Sequence, residues 1–154
     1  MSAFRFLHAA DLHIDSPLRG LEADREAPAE RIRTATRAAF SNLIDLALAE
    51  KVAFVLVAGD LVDGEWQDWR TGQFLLTGIK RLADAGIRFY AIRGNHDAAN
   101  PVLCTLRLPA GAGRIFAEDR AETVRLAELN VAIHGQSFRT RDVSDNLALG
   151  YPPP

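Results

Sequence analysis

The chain reads as an α/β fold, a β-α-β-α-β array followed by a β-hairpin, and three observations point to it. Strand-like runs recur at residues 4–9, 52–58 and 87–92, stretches with helical periodicity separate them, and each run opens into a turn bearing Asp, Asn or His. Strands alternating with helices in one short chain are the pattern of a parallel sheet, because a parallel partner is reached only through a crossover.

Residues 4–9 mix apolar and polar side chains and feed a loop, 11 to about 27, that carries Pro17, Gly20 and several charges with no clear period. Pro28 suits the first turn of a helix, and Ile32, Ala35, Ala39, Leu43, Leu46 and Ala47 recur at three- and four-residue steps up to about Lys51. Its other side, with Arg31, Arg33, Arg37, Asn42 and Asp45, is expected to be a solvated face. Residues 52–58 are continuously apolar, as in a central parallel strand covered on both faces. Asp68 is placed to cap a second helix that buries Phe74, Leu75, Ile79 and Leu82, and Gly86 stops it. Residues 87–92 make the third strand. Beyond Ala98 the pattern predicts a short helix over 101–108, a brief strand at 114–116, and a hairpin pairing 122–126 with 130–134. Residues 139–154 end in three prolines with no terminal element, as expected of a chain cut within a larger fold.

A composition 48% hydrophobic and 25% charged is that of a globular domain with its own core. Cys104 is alone, so no intrachain disulfide forms and a reducing compartment is expected. The amino terminus is too short and polar for a signal sequence and the longest apolar run, 52–58, is far below spanning length, so a cytoplasmic protein with no membrane role is predicted. A formal net charge of -2 supplies no basic field for non-specific polyanion binding. It leaves a nuclease open, since bound cations neutralise phosphate locally.

In an open parallel sheet, ligands bind at the carboxyl ends of the strands, which is where the candidate residues fall. Asp11 and His13 are separated by one residue, so at an extended strand end they share a side and can hold one cation. Gly59 lets the chain turn sharply and leaves Asp60 at the sheet edge, where a carboxylate can bridge two cations. Gly94-Asn95-His96-Asp97 is the specific signal, a tetrapeptide expected in about one in a thousand chains of this length. Asn95 offers a neutral carbonyl oxygen to the second cation. His96 stands beside the metals, free to hydrogen-bond a phosphoryl oxygen or protonate a departing alkoxide. Asp97 either holds the His96 imidazole in the required tautomer or caps the following turn. Asp63 is expected to fix its loop or cap the next turn, not to touch metal. His8 reads as a core or supporting histidine, and His134, before Gly135, as structural, with a metal or substrate role as the alternative. Cys104 lacks the surroundings of a nucleophile. Hard oxygen and imidazole donors of this kind suit a pair of divalent cations and phosphate ester hydrolysis.

Together, Asp11-x-His13, Gly59-Asp60-x-x-Asp63 and Gly94-Asn95-His96-Asp97 resemble the signature of the calcineurin-like metallophosphoesterases. Residues 7–18, 58–64 and 133–138 further resemble the SbcD-type DNA repair exonucleases, in particular their YhaO-like branch. The resemblance implies the N-terminal half of a metallophosphoesterase β-sandwich flanked by helices. It implies Asp11, His13 and Asp60 on a first metal, Asp60 and Asn95 on a second, His96 as the transition-state histidine, and manganese as the usual ion. DNA as substrate, a homodimer and an SbcC-like ATPase partner are implied in the same way. Members of the group continue to a further ligand histidine and a Gly-His-x-His motif absent from this sequence, so residues 1–154 are expected to be the N-terminal part of the domain, with little or no activity alone and an uncovered apolar sheet face. The competing readings are a phosphatase or nucleotide phosphodiesterase on the same scaffold, and a non-catalytic binding or dimerisation fragment.

Overall fold

A four-stranded parallel sheet in the order β1 (Leu7–Ala9), β2 (Phe54–Ala58), β3 (Arg88–Ile92), β4 (Gly113–Ile115) lies at the centre of the protein. The computed structural model describes residues 3–16, 28–63, 68–98 and 100–153; the expected loop over 17–27 and the side chains of Arg31, Ile32 and Arg33 lie outside that description. Helix α1 (Pro28–Ala49) connects β1 to β2, and α2 (Trp69–Asp84) connects β2 to β3, giving the expected β-α-β-α-β array. A short α3 (Pro101–Thr105) leads to β4, which the sequence placed as a strand without a partner and which adds to β3 in parallel. The antiparallel hairpin of β5 (Glu122–Leu126) and β6 (Val131–Gly135) follows.

The two-residue period of the strands sorts their side chains onto two faces. Val55, Val57, Phe89 and Ala91 pack with Phe40 and Ile44 of α1 and Leu75, Ile79 and Leu82 of α2. Phe54 and Tyr90 point the other way, against Phe116, Leu126 of β5 and Ile133 of β6. A helix layer on one face and the hairpin on the other explain why β2 carries no polar side chain. Among the described residues the β1 edge is left uncovered, and there exposed Phe4 and Phe6 pack against Phe54 with centroids 5.9 and 5.1 Å away.

The element ends differ from expectation for local reasons. The first helix stops at Ala49, two residues early, and Lys51 turns left-handed at φ 49°. Val52 then donates to the Ala47 carbonyl at 3.1 Å, which makes it part of the helix terminus and delays β2 to Phe54. Helix α3 ends at Thr105 because Leu106 is already extended at φ -61°, ψ 128°. Asp68 caps α2 as expected, accepting from the Arg70 N–H at 2.9 Å, and Gly86 closes its far end at φ 77°. Among the described residues no helix is long and apolar enough to cross a membrane. Because Ala9 pairs with Val57 and Ala58 with Ile92, the three strand ends sit side by side and release their turns from one edge of the sheet.

Candidate metal centre

The segment after β1 runs along the turn after β2: the amides of Asp11, His13 and Ile14 donate to the carbonyls of Gly59, Asp60 and Leu61 at 3.2, 3.0 and 2.9 Å. Asp11, His13 and Asp60 are all left-handed, at φ 54°, 41° and 53°. The extended strand end expected for Asp11-x-His13 is therefore replaced by a bent one. The two side chains still converge, with ligand atoms of Asp11, His13 and Asp60 within 4.8 Å of one another. Two glycines let the turns after β2 and β3 approach each other. Gly59 stands at φ 93°, a conformation that L side chains resist, and a methyl group on it would meet Gly94 Cα at 2.9 Å. A methyl group on Gly94 would strike the Asp60 carboxylate. The turns after β2 and β3 thus pack backbone to backbone.

Asp60 is 8% exposed, and its Oδ1 accepts from the His96 amide at 3.0 Å, which ties the carboxylate expected to bridge two cations to the turn holding Asn95 and His96. Asn95 is exposed at the tip of that turn. The carboxylate that organises the imidazoles is Asp63. Its Oδ1 lies 3.2 Å from His13 Nδ1 and 2.7 Å from His96 Nδ1, and the two rings meet edge to face at 4.9 Å. An ionised carboxylate only accepts, so each Nδ1 carries its proton and each Nε2 faces outward. His13 Nε2 is 3.9 Å from Asp11 Oδ1, on the ligand side. Burial opposes ionisation of Asp63, but the hydrogen bond from Ser16 and the neighbouring His13 and His96 outweigh it, and its carboxyl titrates below the ordinary range. The Asp63 carbonyl is anchored by Asn100 Nδ2 at 2.9 Å. Sequence reasoning assigned Asp63 only a loop-fixing role; the available signal was an acidic residue three positions past a ligand, in a turn facing a histidine motif.

Asp97 takes a role other than the two expected, tying the turns after β2 and β3 together. Fully buried, it accepts from the amides of Leu61 (3.0 Å) and Gly94 (3.0 Å) through Oδ2 and of Val62 (2.9 Å) through Oδ1. Its catalytic assignment is corrected accordingly: Asp63, not Asp97, meets the His96 imidazole, because the Asp97 carboxylate points into the seam between the β2 and β3 turns. Burial lifts its carboxyl to about 6, against the pull of the three N–H donors. Asp97→Asn would set an amide N–H against a backbone N–H in that seam. Above neutral pH we expect a loss of about 1–3 kcal/mol, several degrees in Tm, by thermal denaturation; a variant melting with the wild type would show that these bonds are not made.

His13, Asp63 and His96 also bring ligand atoms within 4.8 Å, but there both imidazoles already donate to Asp63. The set with open donor atoms is Asp11, His13 and Asp60, two carboxylates and an imidazole, which fits one divalent cation with water completing the shell. Asp60 and Asn95 are the pair expected to serve a second cation, and the His96 amide ties the Asp60 carboxylate to the turn that carries Asn95. His134 bonds elsewhere: Nδ1 is 2.8 Å from Thr123 Oγ1 and the ring 5.9 Å from that of Tyr151. With His8 it lines a cavity of about 140 Å³ between sheet and hairpin, walled by Leu56, Tyr90, Phe116 and Ile133. Neither histidine belongs to a ligand group among the described residues.

Residues 4–150 match the family model of the calcineurin-like phosphoesterases. The chain is 34% identical over 149 residues to the metallophosphoesterase YhaO of Bacillus subtilis, covering 95% of this chain and 36% of YhaO. It is 33% identical over 97 residues to the SbcD component of the nuclease SbcCD of Rhodobacter capsulatus, covering 62% of this chain and 22% of that protein. A dimetal phosphatase from Danio rerio superposes with a TM-score of 0.47 at 21% identity, over 68% of this chain and 34% of the other. The chain spans about a third of YhaO's length. With its family model covering nearly every residue, the chain belongs to the calcineurin-like phosphoesterase family.

Proposed function

We propose that the chain carries the metal-binding and histidine-bearing part of a two-metal phosphodiesterase, a DNA exonuclease of the SbcD-like group acting in DNA repair. The observation that carries this reading is the sharing of Asp63 between two imidazoles, one beside the ligand set and one facing solvent. Asp11, His13 and Asp60 would hold the first cation, and Asp60 and Asn95 contribute to the second. Such cations, when bound, neutralise phosphoryl oxygens and acidify water. His96, its Nδ1 proton held by Asp63, presents Nε2 outward; the charged carboxylate stabilises the imidazolium, which can donate that Nε2 proton to the leaving oxygen. The link from the His96 amide to Asp60 keeps this proton donor in register with the ligands.

DNA as substrate is supported by the nuclease among the relatives and by another relative named as a DNA double-strand break repair protein, Mre11 of Sulfurisphaera tokodaii, 31% identical over 98 residues, 64% of this chain and 23% of that one. Manganese, a homodimer, an SbcC-like ATPase partner and a cytoplasmic setting belong to the same proposal, as does the assignment of residues 1–154 to the N-terminal part of the domain. The net charge of -2 favours a second reading, a phosphatase or nucleotide phosphodiesterase for small esters, which need no basic surface.

Calorimetric titration with manganese, paired with hydrolysis assays on DNA oligonucleotides and small phosphoesters, tests these readings. We expect one cation per chain, because two protein donors compete poorly with hydration for the second, and slow turnover that favours DNA. Turnover confined to small esters would put the second reading in its place. No tight cation at all would leave a non-catalytic module. Two tight ions with His134 in contact would overturn both the single-site expectation and the structural reading of His134.

A further inference from the structure

Asp15 is 2% exposed, although it is a carboxylate in a segment that leaves the sheet edge two residues past His13. A buried carboxylate is strongly unfavourable unless it is paired and hydrogen-bonded. Here it is both. Arg37 of α1 grips it with two parallel bonds, Nε to Oδ1 at 2.7 Å and Nη2 to Oδ2 at 2.6 Å, and Thr71 of α2 donates its hydroxyl to Oδ2 at 2.5 Å. The Asp15 amide donates to Thr36 Oγ1 at 3.3 Å. Arg37 is itself steadied over the Phe74 ring at 5.0 Å, so the face of α1 expected to be solvated contributes a fixed fork.

What this clamp restrains is a bent segment. Asp11, His13 and Asp15 are left-handed at φ 54°, 41° and 60°, a conformation that residues other than glycine adopt only occasionally. The near end is held by the amide bonds to the β2 turn, and Ile14 bridges to Val62. The far end is held by Asp15. Both ligands contributed by this segment are tied to the β2 turn through their own amides, and Asp15 fixes the chain two residues beyond His13.

We propose that Asp15, with Arg37 and Thr71, is a positioning unit that sets cation affinity by holding Asp11 and His13 in a ligand-ready bend without touching the cation. The proposal rests on the metal-site reading given above. With the clamp intact, carboxylate and imidazole meet Asp60 without rearrangement. Without it, the bend relaxes toward ordinary backbone and cation binding must also restore it. Loss of a residue that orients ligands from behind weakens metal binding by about 10- to 100-fold.

Manganese affinity of the wild type, Asp15→Asn, Arg37→Gln and the double variant, read by calorimetry beside the melting curve of each cation-free protein, provides the test. Each single variant is expected to remain folded and bind manganese about 10- to 100-fold more weakly. The double variant should be no weaker than the worse single one, since all three break the same clamp. A lowered Tm with wild-type affinity would make the clamp purely structural and overturn the proposal. Should Asp15→Asn fail to fold, Arg37→Lys keeps the charge and loses the fork; weaker binding supports the proposal, and unchanged affinity overturns it. Asp60→Ala separates the two claims. If the wild type and Asp60→Ala bind manganese alike, the metal-site reading itself fails; if only Asp60→Ala loses the ion while the clamp variants keep wild-type affinity, the clamp alone fails.

Discussion

Asp60→Ala should bind no manganese tightly and, within a longer version of the protein that turns over phosphodiesters, should reduce hydrolysis to background. Two consequences of one truncation drive this. The carboxylate is the only side chain assigned to both cation positions, so its loss leaves Asp11 and His13 on one side and Asn95 on the other. Its Oδ1 also holds the His96 amide at 3.0 Å, so the turn carrying the proton donor is released as well. Asp60→Asn, which retains one acceptor oxygen, should keep the turn while still losing most affinity. Normal manganese stoichiometry together with a normal rate in the alanine variant would remove Asp60 from the site.

Asp63→Asn carries the second large effect, a rate loss of about 10² to 10⁴, the span expected when a general acid is lost or set in the wrong tautomer. Both imidazoles meet the same oxygen, Oδ1, so an amide that keeps its carbonyl there still accepts from both Nδ1 protons but lacks the charge that stabilises the imidazolium, and the rate falls alone. An amide that turns its NH₂ there drives both protons to Nε2, which also blocks the ligand nitrogen of His13, and manganese affinity falls with the rate. His96→Asn provides the reference, since it should cut the rate over the same range and leave manganese binding almost intact. An Asp63→Asn variant with wild-type rate and affinity would show that the shared carboxylate has no part in the chemistry. The lowered Asp63 pKa has its own sign: the folded state binds this proton less readily than the unfolded one, so the ionised brace stabilises the fold above the ordinary carboxyl value of 3.8 and that contribution is lost as pH drops through the lower folded value.

Much of the fold was legible because its signals are local. Residues 52–58 are apolar without interruption, Asp68 precedes a helical period and Gly86 follows it, and each feature reports an environment within a few residues of itself. Asp11, His13, Asp60, Asn95 and His96 could be singled out because topology alone sends parallel strand ends to one edge. The two remaining acidic residues could not be assigned, because their partners are exchanged between turns. Asp63, after β2, serves His96 after β3, while Asp97, after β3, serves the amides of Leu61 and Val62 after β2. Reasoning along the chain pairs Asp97 with its neighbour His96, and only the docking of the two turns reverses that. Arg37 was hidden in the same way: on a helical wheel it sits among charges, and its partner Asp15 is 22 residues away in another element.

The contact between Gly59 and Gly94 fixes how closely the turns after β2 and β3 stand. Side chains give way by rotating, but where peptide backbone rests on peptide backbone nothing can rotate out of the way. The separation of the Asp60 turn from the Asn95 turn is therefore inherited from the spacing of β2 and β3, roughly 4.7–4.9 Å between neighbouring strands, and from the Ala58–Ile92 register that aligns their ends. A side chain at either glycine would have to part the two turns, and would draw the His96 amide away from the Asp60 carboxylate it bonds.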